Sequence, residues 1–211
     1  WVVDRGMQPG DRLPAEADLM ANFGMAKGTI REALRVLEAQ GLIRTRTGPG
    51  GVAFVNEVSE ARAKALLGNY FYFNEIGISD IYDLRRVLEP LLASQLAGNL
   101  TEDQIRQLEE VLAVYEEPPE TIEQLETQRI AELTFHEILA SFSPNPLLRF
   151  QCRFLISLLK DLTICRKIYR RRIPDFRRKG RDYQVRLIQA LRAGDVGAAR
   201  SIMRAHMITA Q

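Results

Sequence analysis

The sequence predicts a mainly α protein in two parts, a small N-terminal domain that contains a β-hairpin and a larger all-α domain. Three observations indicate this division. Apolar residues recur at helical spacing along most of the chain, strand-like alternation is confined to residues 42–55, and no strand pattern follows Val55. With 211 residues, the chain is long enough for two modest domains.

Composition excludes several classes of protein. An apolar content of 46% beside 27% charged residues is typical of a soluble globular protein. The net charge is only +2, so binding to nucleic acid would need a local basic surface. No apolar run approaches the ~20 residues that span a bilayer, so we expect no membrane partner and a cytoplasmic protein. Cys152 and Cys165 lie too far apart on one predicted helix to form a disulfide and are expected to be buried thiols.

Two short helices come first. The segment Leu13–Glu16 opens the first, with Pro14 near its N-terminus, where the missing N–H has no cost, and Gly24 ends it. A second helix is predicted from about residue 26 to residue 40, with Gly41 ending it, because four apolar residues fall at i, i+3, i+4 and i+7: Ile30, Ala33, Leu34 and Leu37.

A two-stranded hairpin follows. Residues 42–46 and 52–55 alternate as strands, and the glycine-rich segment 47–51 forms the turn between them. Two helices followed by such a hairpin make a winged helix-turn-helix, an arrangement that enters a DNA groove. We assign residues 1–56 to this domain.

The second helix would read the major groove through its first turns. There Lys27 and Arg31 can neutralise phosphates or reach guanine edges, and Thr29 can contact a phosphate or a thymine methyl. A Lys/Arg pair on a helix is more often only a solvated face, but the adjoining wing favours DNA. The full set of candidate contacts is Lys27, Thr29, Arg31, Arg35, Arg44, Arg46, Thr47 and Gly48.

The segment RLPAEADLMANFGMAKGTIREALRVLEAQGLIRTRTGPGGVAFV resembles the N-terminal domain of GntR-type bacterial transcription regulators. The resemblance implies DNA binding by a domain of three helices plus the wing, with the chain beginning at Trp1 inside the first of these helices. Two positions depart from the family pattern. Ala17 stands where many members carry a DNA-contacting arginine, and Lys27 replaces an arginine and so lacks its planar bidentate fork.

The rest of the chain is predicted to be helical. We assign residues 57–78 to a linker and a first helix, and residues 79–211 to an antiparallel bundle of six to seven helices. Ser79 and Thr101 are expected to cap helices, with Gln104 completing a capping box after Thr101. The predicted helices cover residues 59–74, 79–98, 101–115, 120–142, 146–169, 174–193 and 196–208.

This second part resembles the FadR-type effector domain, called FCD, of the same family. Three segments carry the resemblance: Ile81–Pro90, Phe135-His136 followed by Asn145–Leu148, and Ala190–Asp195 running on to His206. The resemblance implies a homodimer whose helical bundle encloses a small ligand. It also implies, for many members, a divalent metal ion held by an acidic residue and three histidines.

The residues that match this metal site are Glu132, His136 and His206, with Gln184 in place of the third histidine. Glu132 and His136 are spaced i, i+4, so they share a helix face. An amide is a weak ligand for zinc or nickel, which favour imidazole. One divalent ion (Zn, Ni or Mn) is therefore a prediction, beside two alternatives. In one, His136 packs in the bundle and His206 lies on the surface, and in the other Gln184 donates to an anionic ligand without a metal.

Arg85 matches an arginine that commonly faces the effector in this family. A buried guanidinium there would bind a carboxylate through two parallel hydrogen bonds, whereas the alternative is an exposed salt bridge with Glu89, one turn further on. Gln184 is a second candidate effector contact. Asn145 is a third, although capping of the helix that starts at Pro146 is its favoured role.

Two further features of the sequence are expected to have structural roles. The basic run from Arg166 to Arg181 is expected to be a solvated face that pairs with the acidic segment 102–126, rather than a second nucleic-acid surface. The aromatic cluster Tyr70–Phe73 is expected to pack between domains or in a dimer.

The sequence thus predicts a ligand-responsive, DNA-binding transcription regulator and not an enzyme. A homodimer would bind the half-sites of a near-palindromic operator, as a repressor whose affinity is altered by a small organic acid in the helical domain. One alternative is a regulator that senses a metal ion itself. A metal-dependent enzyme built on the bundle is more remote, because the chain lacks the second Glu-x-x-His pair that such sites use.

Overall fold

A computed structural model describes residues 1–46, 52–114, 117–161 and 176–210. These divide into two compact units, Trp1–Leu66 and Leu67–Gln211. The boundary falls inside the continuous helix Glu60–Phe73, within the segment 57–78 that the sequence predicts as a linker and a first helix. Four predicted features lie wholly or mostly outside the described residues: the wing contacts Thr47 and Gly48, the thiol Cys165, and the basic run from Arg166 to Arg181.

The first unit contains the predicted helix-turn-helix and wing. Its elements are α1 (Glu16–Phe23), α2 (Lys27–Ala39), β1 (Ile43–Arg46) and β2 (Val52–Val55). Gly24 ends α1 with φ at 65°, a left-handed conformation that favours glycine. The strands pair antiparallel from Ile43↔Val55 to Arg46↔Val52.

The expected remnant of a third helix is not present before α1. Arg5 N donates to Trp1 O at 3.1 Å, but Gly6 is left-handed with φ at 63° and the segment continues as turns. A few residues followed by Gly6 and Pro9 cannot sustain a helix, because one helical turn is costly to nucleate and glycine and proline both interrupt it.

The second unit is entirely helical where it is described. Besides the C-terminal part of α3 (Glu60–Phe73), it contains α4 (Ile78–Leu96), α5 (Glu102–Ala113), α6 (Ile122–Ser141), α7 (Pro146–Asp161), α8 (Phe176–Ala193) and α9 (Val196–Thr209). These confirm the seven predicted helices. None of the helices in the described part of the chain is long and apolar enough to cross a membrane.

The caps agree with the sequence except at α4. Thr101 and Gln104 form the predicted capping box, and an equivalent box joins Thr121 and Gln124. The prediction that Ser79 caps α4 is wrong. The helix starts at Ile78 because the Asp80 carboxylate accepts the backbone N–H of Gly77 at 2.7 Å.

The core of the second unit forms where α4 packs against α9 and α7, and α6 against α5 and α7. Leu92, Phe135, Leu139 and Met203 are among its buried side chains. The predicted burial of Cys152 is confirmed, and burial, then the nearby Glu89 charge, raises the pKa of this thiol to about 12. The same helices bring together a group of buried polar side chains.

Candidate DNA interface and effector site

The N-terminus of α2 is open to solvent. Lys27 and Thr29 are exposed, whereas Ile30 is buried and holds the helix to the domain. The N-cap residue, Ala26, has no side chain that can satisfy the first backbone N–H groups, and the first turn has no acidic residue. These N–H groups and the positive end of the helix dipole therefore add to the charge of Lys27 as a surface for a phosphate.

Arg31 and Arg35 lie further along α2 and are also exposed. Arg35 makes only a 3.6 Å contact with Glu32 on the same exposed face. Arg31 is more strongly held, because its Nε lies 3.0 Å from both carboxylate oxygens of Glu16 on α1. The structure thus places all four predicted contacts of α2 on an accessible surface.

The base of the wing is tied to α2 by Glu38, which sequence reasoning did not identify. Thr45 donates to Glu38 Oε1 through its backbone N–H (2.8 Å) and its hydroxyl (2.6 Å). These hydrogen bonds lower the pKa of Glu38. The alternation of β1 sends Arg44 and Arg46 away from Thr45, and their guanidinium groups lie 5.7 and 5.4 Å from the centre of the Phe54 ring.

A second group of polar residues lies inside the helical unit. Each member has at most 2% of its surface exposed. We call this group the polar core: Arg85 and Glu89 of α4, His136 of α6, Gln184 of α8 and His206 of α9. Four helices therefore meet at side chains that are rarely buried unless they are paired.

Glu89 organises the polar core. One of its oxygens lies 2.5 Å from Arg85 Nε, and the other lies 2.5 Å from His136 Nδ1. With the proton of His136 assigned to Nδ1 beside this carboxylate, its Nε2 accepts a hydrogen bond from His206 Nε2 at 3.1 Å. The Gln184 side-chain nitrogen lies 3.4 Å from the same His136 atom.

Arg85 and Glu89 carry opposite charges inside the polar core. Burial opposes ionisation of Glu89, but the Arg85 and His136 side chains outweigh it and lower the Glu89 pKa to about 2. Burial likewise opposes the charge of Arg85, and Glu89 outweighs it and raises the Arg85 pKa. Burial, together with His136 and Arg85, lowers the pKa of His206 well below 6.5. Near neutral pH Arg85 is thus charged, Glu89 is ionised and His206 is neutral.

Apart from Glu89 Oε2 and His136 Nδ1, which lie 2.5 Å from each other, two polar atoms of this group have no hydrogen-bond partner among the described residues. They are Arg85 Nη2, which can donate, and His206 Nδ1, which can accept. Buried polar groups usually have partners, so these two atoms mark where a bound molecule would be held. The Arg85 guanidinium also lies 4.9 Å from the centre of the Tyr82 ring, which supports it from one side.

The structure bears on one of the two predictions for Arg85. The salt bridge with Glu89 exists, but it is buried and not exposed, and Nη2 of the guanidinium remains without a partner. The alternative that placed His206 on the surface is wrong, because α9 packs against α4 and buries the imidazole. The structure places Asn145 away from the polar core, as the cap of α7, where its Oδ1 accepts the N–H groups of Leu147 and Leu148 at 3.0 and 3.1 Å.

The predicted metal ligands are only partly brought together. His136 and His206 are adjacent, but Glu132 turns towards Arg129, whose Nη1 lies 3.4 Å from Glu132 Oε2. Within the described ranges, no three His, Cys, Asp or Glu residues are grouped as metal ligands would be. Two imidazoles and an amide do not fit a tightly held zinc or nickel ion, which takes three or four ligands that favour imidazole or thiolate.

Comparison with known proteins agrees with both halves of this description. Residues 1–52 match the family model described as bacterial regulatory proteins, gntR family, and residues 80–209 match the FCD domain. The chain belongs to the gntR family of bacterial regulatory proteins. It combines the winged helix-turn-helix of this family with an FCD domain.

Relatives of this gntR-family chain are similar along most of its length. The HTH-type transcriptional regulator LutR of Bacillus subtilis (strain 168) is 27% identical over 95% of this chain and 90% of its own. The HTH-type transcriptional repressor NanR of Citrobacter rodentium (strain ICC168) is 26% identical over 94% of this chain and 75% of its own. The solved structure of Streptococcus agalactiae GntR has the same fold, with a TM-score of 0.58 and 23% identity over 99% of this chain and 92% of that one. This gntR-family member is a DNA-binding transcription regulator and not an enzyme.

Proposed function

We propose that this regulator is a homodimeric, cytoplasmic repressor whose affinity for operator DNA is changed by a small carboxylate bound at the polar core. The observation that carries the proposal is the buried Arg85, whose Nη2 is without a partner in the polar core that also contains Gln184 and His206. A guanidinium in such a place is the residue type best suited to a carboxylate.

On the DNA side, α2 would enter the major groove. Lys27 would contact a phosphate near the helix N-terminus, Thr29 a phosphate or a thymine methyl, and Arg31 a guanine edge. Arg35, further along the helix, would contact the backbone. Arg44 and Arg46 would follow the adjacent backbone from the wing, together with Thr47 and Gly48, which the sequence pattern predicts as further wing contacts.

On the effector side, the charge of the polar core limits which ligands can bind there. Because Arg85 and Glu89 already neutralise each other, a bound carboxylate leaves one net negative charge in the polar core. A second carboxylate would add an unpaired charge in a buried site, which is costly. We therefore expect small monocarboxylates, held by Arg85 Nη2 and Gln184, to bind more tightly than dicarboxylates of similar size.

The homodimer would form through α4. Leu84, Val87 and Leu91 are 53%, 67% and 37% exposed, and their spacing of i, i+3 and i+7 places them on one face of the helix. The same helix contributes Arg85 and Glu89 to the polar core, so a ligand there acts on the helix that would carry the dimer contact. A two-fold dimer places two copies of α2 at the half-sites of a near-palindromic operator.

We propose repression rather than activation because one relative, NanR, is named a repressor. A ligand can change DNA affinity only by binding one arrangement of the dimer better than another, and typical coupling is about 1–3 kcal/mol. We propose that carboxylate binding lowers the affinity for the operator and so releases the DNA.

A second candidate, a regulator that senses a metal ion itself, is favoured by one observation. The two Nε2 atoms of His136 and His206 are 3.1 Å apart, and two nitrogens on one tetrahedral zinc ion would be about 3.4 Å apart. The incomplete ligand set described above argues against tight binding.

A thermal-unfolding screen separates the two candidates. The probes are acetate, propionate and lactate, then succinate and malate, and finally zinc, nickel and manganese with and without EDTA. The carboxylate proposal predicts that a monocarboxylate raises Tm, that Gln184→Ala reduces this increase, and that Gln189→Ala, an exposed position on the same helix, does not. An increase caused by metal ions alone and removed by EDTA would support the metal sensor.

A further inference from the structure

Arg31 is exposed on α2, yet its guanidinium is held in place from α1. Glu16, the first residue of α1, accepts from Arg31 Nε through both carboxylate oxygens at 3.0 Å. The two residues are 15 positions apart in the chain, and this contact links the two helices of the helix-turn-helix. The Arg31 side chain is 55% exposed and that of Glu16 is 26% exposed.

The contact uses the Nε side of the guanidinium only. Among the described residues no hydrogen bond or ion pair involves the two Nη groups of Arg31, which are the pair that binds guanine or phosphate in two parallel hydrogen bonds. A free arginine side chain samples many rotamers and loses that freedom when it binds. A carboxylate at Nε restricts those rotamers before DNA arrives.

We propose that Glu16 is a positioning residue for sequence recognition, which sets Arg31 so that its two Nη groups face a base. The inference rests on the proposed contact between Arg31 and DNA. It assigns Glu16 no contact with DNA of its own. Glu16 contributes to the preference for one sequence over another, and not to general affinity for the duplex.

Simple charge repulsion predicts the opposite effect. Glu16 is an anion on a surface that approaches phosphates, so its removal should strengthen binding to every duplex if it acts only through its charge. If Glu16 positions Arg31, its removal weakens binding to the preferred sequence alone. Asp18 provides the matched control, because it is exposed, lies in the same first turn of α1, and has no hydrogen bond or ion pair among the described residues.

The test compares Glu16→Gln with Asp18→Asn in the full chain. Each substitution removes one negative charge from the first turn of α1, where an acid also stabilises the helix end, so their effects on folding should be similar. Fluorescence anisotropy would measure Kd for two duplexes at one salt concentration: the duplex most enriched by the wild-type chain from a random library, and a shuffled duplex of the same composition. Thermal unfolding would be recorded for each variant.

We expect Glu16→Gln to bind the enriched duplex roughly three- to tenfold more weakly, a loss smaller than the tenfold or more expected for Arg31→Ala from one bidentate base contact. Its affinity for the shuffled duplex should be unchanged or slightly higher, as for Asp18→Asn. In an Arg31→Ala background, Glu16→Gln should have no more effect than Asp18→Asn, because there is no guanidinium left to position.

Three results would overturn the inference in distinguishable ways. If Glu16→Gln matches Asp18→Asn on both duplexes while Arg31→Ala weakens the enriched one, the Arg31 contact stands and the role of Glu16 is wrong. A loss of affinity for both duplexes with a lowered Tm would show that Glu16 only stabilises the domain. Unchanged binding by Arg31→Ala would contradict the proposed DNA contact and the inference together.

Discussion

A carboxylate oxygen of Glu89 lies 2.5 Å from Nδ1 of His136, and this contact joins α4 to α6 at the centre of the helical domain. The other oxygen of Glu89 holds Arg85, so one side chain orients both the cation and the imidazole of the polar core. A carboxylate behind Nδ1 fixes which nitrogen of the histidine faces outward. Here it directs Nε2 of His136 towards His206 and Gln184.

The Arg85–Glu89 pair should be strongly coupled. Arg85→Met or Glu89→Leu alone leaves a buried charge without its partner, and we expect each to lower the free energy of unfolding by about 3–5 kcal/mol. The double variant should lose much less than the sum, because no unpaired charge remains. Urea unfolding of the wild-type chain, the two single variants and the double variant measures this coupling. Additive losses would show that Arg85 and Glu89 are not each other's main partner.

Gln184→His should complete a set of three histidines in the polar core that can bind a metal ion. A third imidazole would join His136 and His206, whose Nε2 atoms are already 3.1 Å apart. We expect zinc to raise the Tm of this variant by an amount that EDTA abolishes, with about 2.7 kcal/mol of stabilisation at a zinc concentration of 100 times Kd. An equal zinc effect on the wild-type chain would show that the natural donor set is sufficient.

The stability of the helical domain should fall as pH decreases through the range in which His206 would titrate in the unfolded chain. The folded-state pKa of His206 lies well below 6.5, so under mildly acidic conditions the unfolded chain binds a proton that the folded chain does not. Stability from the neutral imidazole is therefore present above 6.5 and lost as pH falls towards the folded-state pKa. The free energy of unfolding should be lower at pH 5.5 than at pH 7.5.

The matched variant for this pH dependence is His206→Gln, which cannot be protonated there. Its free energy of unfolding should change less between the two pH values than that of the wild-type chain. Glu89, with a pKa lowered from 4.5 to about 2, contributes only at more acidic pH. An identical slope in both proteins would mean that His206 is not the group responsible.

Val87→Glu should disrupt the proposed homodimer. Val87 is the most exposed of the three apolar residues Leu84, Val87 and Leu91 on α4. In a two-fold dimer, a charge at the centre of the interface lies next to the same charge of the other protomer. Val196→Glu, at a position that is 51% exposed at the start of α9, is the control and should remain dimeric. Sedimentation velocity distinguishes these outcomes. A dimeric Val87→Glu would place the interface elsewhere, and a monomeric wild-type chain would contradict the homodimer.

The elements that local patterns specify were predictable from the sequence. The bounds of α1 and α2 follow from Gly24, Gly41 and the apolar spacing between them, and the capping box at Thr101 follows from its own four residues. The resemblance predicts Arg85 as an effector contact and His136 and His206 as metal ligands of the helical domain, and all three are buried.

The sequence did not reveal the contacts between side chains of different helices and strands, because these contacts form only when the elements pack together. The sequence predicts Glu89 only as an exposed partner of Arg85, because nothing local shows that α4 turns that face inward against α7 and α9. The contact of Glu16 with Arg31 and that of Glu38 with Thr45 join different elements, so neither appears as a spacing along one helix. Glu132 and His136 share a helix face as expected, but one oxygen of Glu132 pairs with Arg129, a contact that spacing alone does not show.

The most direct test of ligand-controlled DNA binding is the Kd of the wild-type chain for its enriched duplex, measured by fluorescence anisotropy at one salt concentration, without and with a saturating monocarboxylate identified by the thermal screen. We predict that the ligand weakens binding by roughly 5- to 150-fold, the range of typical allosteric coupling. A Kd that is the same with and without the bound carboxylate would contradict the proposal.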